Sequence, residues 1–361
     1  MNTDRRGGYT DWGGWMRQQG AVRWGKVAAT LWGLWLVSVL FLYLFFFHAA
    51  AEPDYISSSS VRPEWTPNAD DVRAGQQWAG EVQDYRNNNK TLVMYVYFEK
   101  NQLYKDNLQF FLDVGVQERD DVDYVIVLQG PCTVRFPKMR NVLVLAKENE
   151  CLDFGGWRYG LDWIGWRGRG YRYFVFLNSS VRGPYVPLYV PRAIHWTTLF
   201  TQLIRESGDG YGDNNGPIKL VGMTINCHLH RPHVQSMLWV TDYEALEYLI
   251  DKTDVVTCKK TMNQAINMGE IALSMKLLAN GWNIGSMAVA TRGWDFRVQR
   301  GCNANQDPNW RGAYYGIEPG VHETIFVKAN RNVRPREVKV YSHIALQQAR
   351  QGQFDGVRFA R

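Results

Sequence analysis

The chain has 361 residues, 45% of them hydrophobic and 21% charged, which is the composition of a globular protein with an ample core. Its formal net charge of +6 is spread out, without a lysine–arginine block, zinc-finger spacing or RNP-like motif, so the sequence argues against nucleic-acid binding. The 15 Trp, 19 Tyr and 16 Phe residues are numerous enough to fill a core and also to stack on sugar rings.

The first predicted element is a membrane segment. Residues 27–47 contain no charged side chain and would form a helix roughly 30 Å long, which matches the apolar core of a bilayer. A cleaved signal peptide is the alternative, but this apolar run is longer than usual and the cleavage site after it is only passable. Basic residues dominate before the segment and acidic residues follow it, so the positive-inside rule keeps the N-terminus cytosolic. We predict a cytosolic tail over 1–26 and a type II signal anchor over 27–47.

A polar segment follows the predicted anchor. Residues 48–90 are rich in Pro, Ser and Asn and poor in aliphatic side chains, which is typical of a stem that holds a domain away from a membrane. Near its end, Asn89 begins the sequon Asn-Lys-Thr in a turn-like context, and we predict that it is glycosylated. The remainder of the chain would then lie in the lumen of the Golgi or of another secretory compartment.

All cysteines follow the anchor and would lie on the non-cytosolic side, where disulfides persist. Cys132 and Cys151 each come after a strand-like run, so one disulfide is expected between them. Cys227 and Cys258 are the next pair, which leaves Cys302 without a partner. Spacing alone does not fix the connectivity, so other pairings stay open.

From Thr91 onward, short apolar runs alternate with amphipathic segments, which predicts an α/β fold: a mostly parallel sheet flanked by helices on both faces. The predicted strands are 91–99, 122–129, 141–146, 171–178 and 218–225. The predicted helices are 106–116, 161–166, 193–206, 242–250 and 270–281, the last closed by Gly281. This domain spans 91–332, and 333–361 is a basic C-terminal extension expected to hold one strand and one helix.

The predicted strand 171–178 ends abruptly in Asn178-Ser179-Ser180, and Arg182 follows shortly afterwards. Parallel sheets bind ligands beyond the carboxyl ends of their strands, so this tip is the first candidate for a binding site. Two plainer interpretations stay open: an ordinary exit from strand to loop, and a glycosylation sequon at Asn178.

The chain resembles a family of glycosyltransferase-like proteins in five motifs that follow one another in order: FLNSSVRGPYVP, KLVGMTINC, PHVQSMLWVTD, GEIALSMKLLANGWNI and GVHETIFVKANR. They are similar to the GT-A class and to rhamnan-synthesis-type bacterial proteins, and the resemblance covers residues 91–332. It implies a GT-A-like, Rossmann-type catalytic domain that uses a nucleotide-sugar donor, here preceded by a single transmembrane helix.

On the donor side, GT-A enzymes place an Asp-x-Asp pair after a central strand, where it holds Mg²⁺ or Mn²⁺ against the diphosphate. The matching stretch from Asn178 to Ser180 is neutral and binds a cation far more weakly, so metal dependence is doubtful and no metal ligand is assigned. The resemblance implies diphosphate contacts from Asn178, Ser180 and Arg182, whose guanidinium can neutralise phosphate. Asp153, as a ribose or uracil contact, and His322 complete the predicted donor site.

On the acceptor side, Gly222 would let a sugar approach closely, although a glycine in a strand also marks a bulge. His233 and Gln235 are predicted to open a helix whose free N–H groups suit a sugar hydroxyl or a phosphate. Glu270, expected in the first turn of the helix 270–281, is the candidate base that deprotonates the attacking hydroxyl. Its plainer explanation is a favourable interaction with the helix dipole.

Together these observations predict a single-pass type II glycosyltransferase of the secretory pathway that transfers a sugar from a nucleotide-diphosphate donor to a glycan or glycoprotein hydroxyl. The alternative is a catalytically inactive relative that binds carbohydrate or serves as a scaffold, and the missing carboxylate pair favours it. A Golgi sulfotransferase would need a phosphosulfate-binding loop after the first strand, and Phe98-Glu99-Lys100-Asn101 does not supply one.

Overall fold

The computed structural model describes the chain over 88–208, 216–303 and 307–358. The predicted cytosolic tail, the signal anchor and nearly all of the predicted stem lie outside these ranges. Within them, no helix is both long enough and apolar enough to cross a bilayer.

A seven-stranded sheet forms the centre of the described part of the chain. Its strands are runs rich in β-branched and aromatic residues, which suit a pleated and buried surface. In chain order they are β1 Lys90–Tyr97, β2 Val122–Gln129, β3 Val142–Lys147, β4 Tyr171–Asn178, β5 Ile218–Gly222, β6 Leu238–Asp242 and β7 Asn283–Ser286.

The sheet is mostly parallel, as the sequence predicts. Its spatial order is β3-β2-β1-β4-β6-β5-β7, and β6 alone among these strands pairs antiparallel, with β4 on one side and β5 on the other. The chain moves outward from β1 to β3 and then returns to place β4 on the opposite side of β1. The carboxyl ends of β1 and β4 therefore flank a topological switch point, which is where open α/β sheets form a ligand crevice.

Helices cover both faces of the sheet. The longer ones are α1 Gln102–Phe110, α2 Leu152–Ile164, α3 Trp196–Gly208, α4 Tyr243–Asp251, α5 Ala272–Ala279 and α6 Pro335–Arg358. Successive side chains of a strand point to opposite faces, so β1 contributes to two cores. Met94 packs in a cluster with Trp157 of α2, whereas Tyr95 packs in another with Phe111 and with Trp196 of α3.

Several boundaries differ from the prediction. The segment that contains His233 and Gln235 does not open a helix: His233–Val234 pairs antiparallel with Ile225–Asn226, and the chain then enters β6. Helix α2 begins well before the predicted 161–166, and two of its glycines, Gly156 and Gly160, pack closely against side chains of β1 and β2. The C-terminal extension is one long helix, α6, rather than a strand followed by a helix.

The disulfide pairings predicted from the sequence are wrong. Cys151 is bonded to Cys258 and Cys227 to Cys302, with S–S distances of 2.06 and 2.09 Å. Cys132 is a buried free thiol. It belongs to the core on the α1 and α3 face, whereas Cys151 directly precedes α2 on the other face, so the sheet separates the two residues that were expected to pair.

Candidate functional site

Asn178 ends β4 in an ordered polar turn. Its Nδ2 donates to Asp153 Oδ2 over 2.7 Å, and its Oδ1 accepts from the backbone N–H and the hydroxyl of Ser180 over 3.0 and 2.6 Å. An Asn side chain that bonds the backbone two residues later fixes a turn locally. These hydrogen bonds fix the turn at the end of β4, and they join the Asn178 amide to two other predicted donor-site residues, Asp153 and Ser180.

Asp153 lies in the first turn of α2, two residues after the disulfide-bonded Cys151. Burial raises the pKa of Asp153 to about 6, while the Asn178 hydrogen bond and the Lys328 ammonium lower it and the Glu270 carboxylate raises it further. The carboxyl of Asp153 thus interacts both with Asn178 at the tip of β4 and with Glu270, the predicted catalytic base.

Lys328 is the functional candidate that the sequence analysis missed. It lies in the two-residue strand Val327–Lys328, which pairs antiparallel with Val181–Arg182 so that Lys328 is opposite Val181. The next residue, Ala329, donates its N–H to the Ser180 carbonyl over 3.0 Å. The lysine stands within the motif GVHETIFVKANR, but only its pairing with the chain after β4 reveals that it belongs to the tip.

Glu270 lies close to the same tip. Its Oε2 accepts hydrogen bonds of 2.7 Å from both the N–H and the hydroxyl of Ser236, and its Oε1 is 3.9 Å from His233 Nε2. The next residue, Met237, accepts at its carbonyl a 3.2 Å hydrogen bond from the Asn178 N–H. Glu270 and Asn178 therefore bond two adjacent residues, Ser236 and Met237, in the segment that leads into β6.

The dipole explanation for Glu270 needs correction. Helical structure begins at Met262–Gln264 and continues through a π-helical turn, Ala265–Ile271, into α5. Glu270 stands near the middle of this run rather than in a first turn, so the positive end of a helix dipole does not account for it. A π-helical turn inside an α-helix is often found at functional sites, because it redirects a side chain out of the regular repeat.

His233 is buried behind Glu270. Its Nδ1–H donates to the Arg231 carbonyl over 2.8 Å, which leaves Nε2 facing Glu270. Burial lowers the pKa of His233, although the Glu270 carboxylate raises it, so the ring is held neutral near pH 7. His233 therefore lies next to Glu270 and is buried from solvent.

Two residues predicted on the acceptor side have internal partners. Gln235 is buried, its Oε1 accepts from Thr224 and Asn309 over 2.8 and 2.7 Å, and its Nε2 donates to Asp307 over 3.0 Å. A Cβ on Gly222 would lie 2.3 Å from a methyl of Val234. The glycine thus permits close packing within the fold, and neither residue points an unused group at a ligand.

Arg182 and His322 also differ from the prediction. Arg182 is buried: its Nε donates to Ser342 over 3.0 Å, its Nη1 donates to the Asp106 carbonyl over 3.1 Å, and its guanidinium stacks on Phe110 at 4.5 Å. It joins α1 to α6 instead of facing a diphosphate. His322 bonds the Tyr185 carbonyl over 3.0 Å and packs on Tyr341, which places it beside α6 as well.

The tip does not fit a divalent cation. The amide of Asn178 uses its nitrogen on Asp153 and its oxygen on Ser180, and the nearby Lys328 contributes a positive charge that a bound cation would have to approach. In the described ranges, no group of three His, Cys, Asp or Glu side chains could hold a metal ion. We therefore assign no metal ligand and derive no chemical step from a metal.

A groove of about 500 Å³ lies elsewhere, between the loop after the β4 tip and α6, with Pro187, Leu188, Arg192, Trp196 and Ala345 among its lining residues. None of the residues predicted to act in catalysis, donor binding or acceptor binding contributes to it. It is therefore separate from the polar cluster at the carboxyl ends of the strands.

Comparison with known proteins gives a likeness to solved structures. No family model and no curated protein matches the chain. Among solved structures it is similar to the mannosyltransferase PcManGT from Pyrobaculum calidifontis in complex with GDP-Man and Mn2+, at 11% sequence identity and a TM-score of 0.32, over 80% of this chain and 86% of that chain. A likeness of this degree does not bear on activity.

Proposed function

We propose that the chain is a glycosyltransferase that moves a sugar from a nucleoside-diphosphate donor to a hydroxyl of a glycan or glycoprotein. One observation carries the proposal: Asn178, Asp153, Lys328 and Glu270 meet at the carboxyl ends of the central strands, beside the topological switch point. Open α/β sheets bind ligands at such a point, and the cluster offers a hydrogen-bonding floor, a cation and a carboxylate to an extended nucleotide.

In the proposed reaction, the acceptor hydroxyl oxygen forms a bond to the anomeric carbon of the donor sugar. The bond from that carbon to the phosphate oxygen breaks, and its electron pair leaves with the nucleoside diphosphate. Glu270 takes the proton of the hydroxyl through Oε1, because Oε2 is held by the two hydrogen bonds from Ser236. Holding one oxygen fixes the other, which is the geometric condition for a general base.

Asp153 and Asn178 form the donor floor in this proposal. Their 2.7 Å hydrogen bond orients both side chains, and the remaining Asp153 oxygen would accept a bond from a ribose hydroxyl. The earlier donor candidates Arg182 and His322 have no part in it, because their polar groups are bonded to the protein beside α6.

We further propose a secretory location with the described domain in the lumen. The two disulfides, Cys151–Cys258 and Cys227–Cys302, support it because such bonds persist in oxidising compartments. The predicted anchor over 27–47 and the sequon at the exposed Asn89 agree with that topology.

A panel of nucleotide sugars tests the function. The full-length protein in detergent is incubated with UDP- and GDP-sugars, and the released nucleotide is measured beside the variants Glu270→Gln and Glu247→Gln. Glu247 is a half-exposed carboxylate on α4 and serves as the matched control. We expect release that Glu270→Gln lowers by about 10²- to 10⁴-fold and that Glu247→Gln leaves unchanged. Donor binding without any release would instead favour the inactive carbohydrate-binding alternative.

A further inference from the structure

The tip of β4 itself, Asn178-Ser179-Ser180, carries no charged side chain where an Asp-x-Asp pair would hold a cation, and yet a bound diphosphate needs positive charge near it. A phosphate removed from water is costly unless it is paired with a cation or with several hydrogen-bond donors. The ammonium of Lys328 supplies positive charge close to the tip, because it acts on Asp153, the hydrogen-bond partner of Asn178.

The position of Lys328 is fixed by the backbone. The residue pairs with Val181 in a short antiparallel ladder, and the N–H of Ala329 bonds the carbonyl of Ser180. Two consecutive residues are thus tied to the turn that Asn178 starts. The ladder holds the backbone of Lys328 beside the tip, so only its side chain has to be ordered when an anion binds.

The ammonium lacks a strong partner. Among the described residues, its hydrogen bond goes to the thioether of Met237 over 3.8 Å, and a thioether sulfur is a weak acceptor. No described carboxylate lies close enough to form an ion pair with it, although Asp153 is within range of its charge. The half-buried Lys328 ammonium can therefore bind an anion by giving up no more than this weak hydrogen bond.

A second cation stands in the same turn. Arg331 belongs to the helical turn Ala329–Arg331 that directly follows Lys328. Its guanidinium stacks on the ring of the half-exposed Trp310 at 4.1 Å, and the residue is exposed. Lys328 and the turn that follows it thus carry two positive side chains within four residues of the chain.

We infer that Lys328 binds the diphosphate of the donor and that this chain binds its donor without a divalent cation. The inference rests on the proposed function, since it concerns the same crevice. The ammonium offsets the charge of the diphosphate in the complex and the charge that develops on the departing nucleoside diphosphate, and Arg331, three residues later in the chain, adds to the positive charge of this segment.

Calorimetry with UDP and GDP as probes tests this. The full-length protein is titrated in EDTA and again in Mn²⁺, beside Lys328→Met, Lys328→Arg and, as a surface control, Lys276→Met on α5. We expect the wild type to bind one probe equally well in EDTA and in Mn²⁺. Lys328→Met should weaken binding by about 10- to 100-fold, and Lys328→Arg should restore most of it. Lys276→Met should bind as the wild type does, and all four proteins should unfold at similar temperatures.

Each contrary result has its own meaning. Binding by the wild type in Mn²⁺ but not in EDTA, or undiminished binding by a folded Lys328→Met, would overturn the inference and leave the proposed function standing. Binding of neither probe under either condition would overturn the proposed function, and this inference with it.

Discussion

The side-chain amide of Asn178 donates a hydrogen bond of 2.7 Å to the carboxylate of Asp153, which joins the end of β4 to the first turn of α2. The two elements pack on each other through Trp157, whose indole N–H bonds the carbonyl of Leu177 over 3.4 Å. The hydrogen-bonded pair Asn178 and Asp153 is thus supported by the buried Trp157.

Asp153 should make stability depend on pH. Its folded pKa of about 6 lies above the ordinary value of 3.8, so the folded state holds a proton that the unfolded state releases first. Its contribution is therefore present below pH 4 and is lost as the pH rises through 6. We expect Asp153→Asn to gain stability over the wild type between pH 4 and pH 7, by about 1–3 kcal/mol. Urea unfolding at pH 4 and pH 7 measures the free energy of unfolding of both proteins. The same pH dependence in the variant and the wild type would contradict this prediction.

Ser236 should act through Glu270. Ser236→Ala removes the hydroxyl that donates to Glu270 Oε2 but keeps the backbone N–H that donates to the same oxygen. We expect kcat to fall by about tenfold with little change in the affinity for nucleotide, because only the orientation of the base is loosened. Ser207→Ala, at the end of α3, is a suitable control for loss of a hydroxyl. A drop in nucleotide affinity with unchanged kcat would place Ser236 on the donor side instead.

Arg182 should matter for stability and not for the donor. Arg182→Met removes the guanidinium that donates to the Ser342 hydroxyl, which keeps its hydrogen bond with Tyr185, and to the Asp106 carbonyl, so we expect the free energy of unfolding to fall by about 2–4 kcal/mol. Nucleotide affinity should be unchanged in the protein that remains folded. Thermal unfolding and calorimetry measure the two quantities, with the exposed Arg205→Met as control. Lost affinity at unchanged stability would return Arg182 to the donor site.

The disulfides can be mapped directly. Peptide mapping without reduction should give Cys151–Cys258 and Cys227–Cys302, and Cys132 should react with an alkylating reagent only after unfolding, because it is buried and burial raises the pKa of its thiol to about 12. Cys258→Ser should destabilise the protein by about 2–4 kcal/mol. A peptide that links Cys132 to Cys151 would contradict the structure.

The parts of the fold that the sequence predicts well are those with strong local patterns. The apolar runs of β1, β2 and β4 predict strands, and the helix predicted over 242–250 corresponds to α4, which Asp242 caps by accepting from the Ala245 N–H over 3.0 Å. Strand β6 was missed because it is short, antiparallel and preceded by polar residues that resemble a helix start.

The site was harder to predict because it depends on pairing between distant segments. Arg182 follows the end of β4, and this position suggests a contact with the donor. Helix α6 covers it instead, in a segment that the sequence predicts to be a basic C-terminal extension. Lys328 carries no local signal at all: it reaches the tip only through its ladder with Val181. Such long-range pairings are not encoded in periodicity, which reports local burial alone.

Hydrogen–deuterium exchange with saturating UDP or GDP tests the location of the donor site most directly. We expect slower exchange with nucleotide in three segments, 151–158, 178–182 and 325–331, which carry Asp153, Asn178 and Lys328. Slower exchange confined to the groove around 184–196 and 345–349, or no change anywhere, would contradict it.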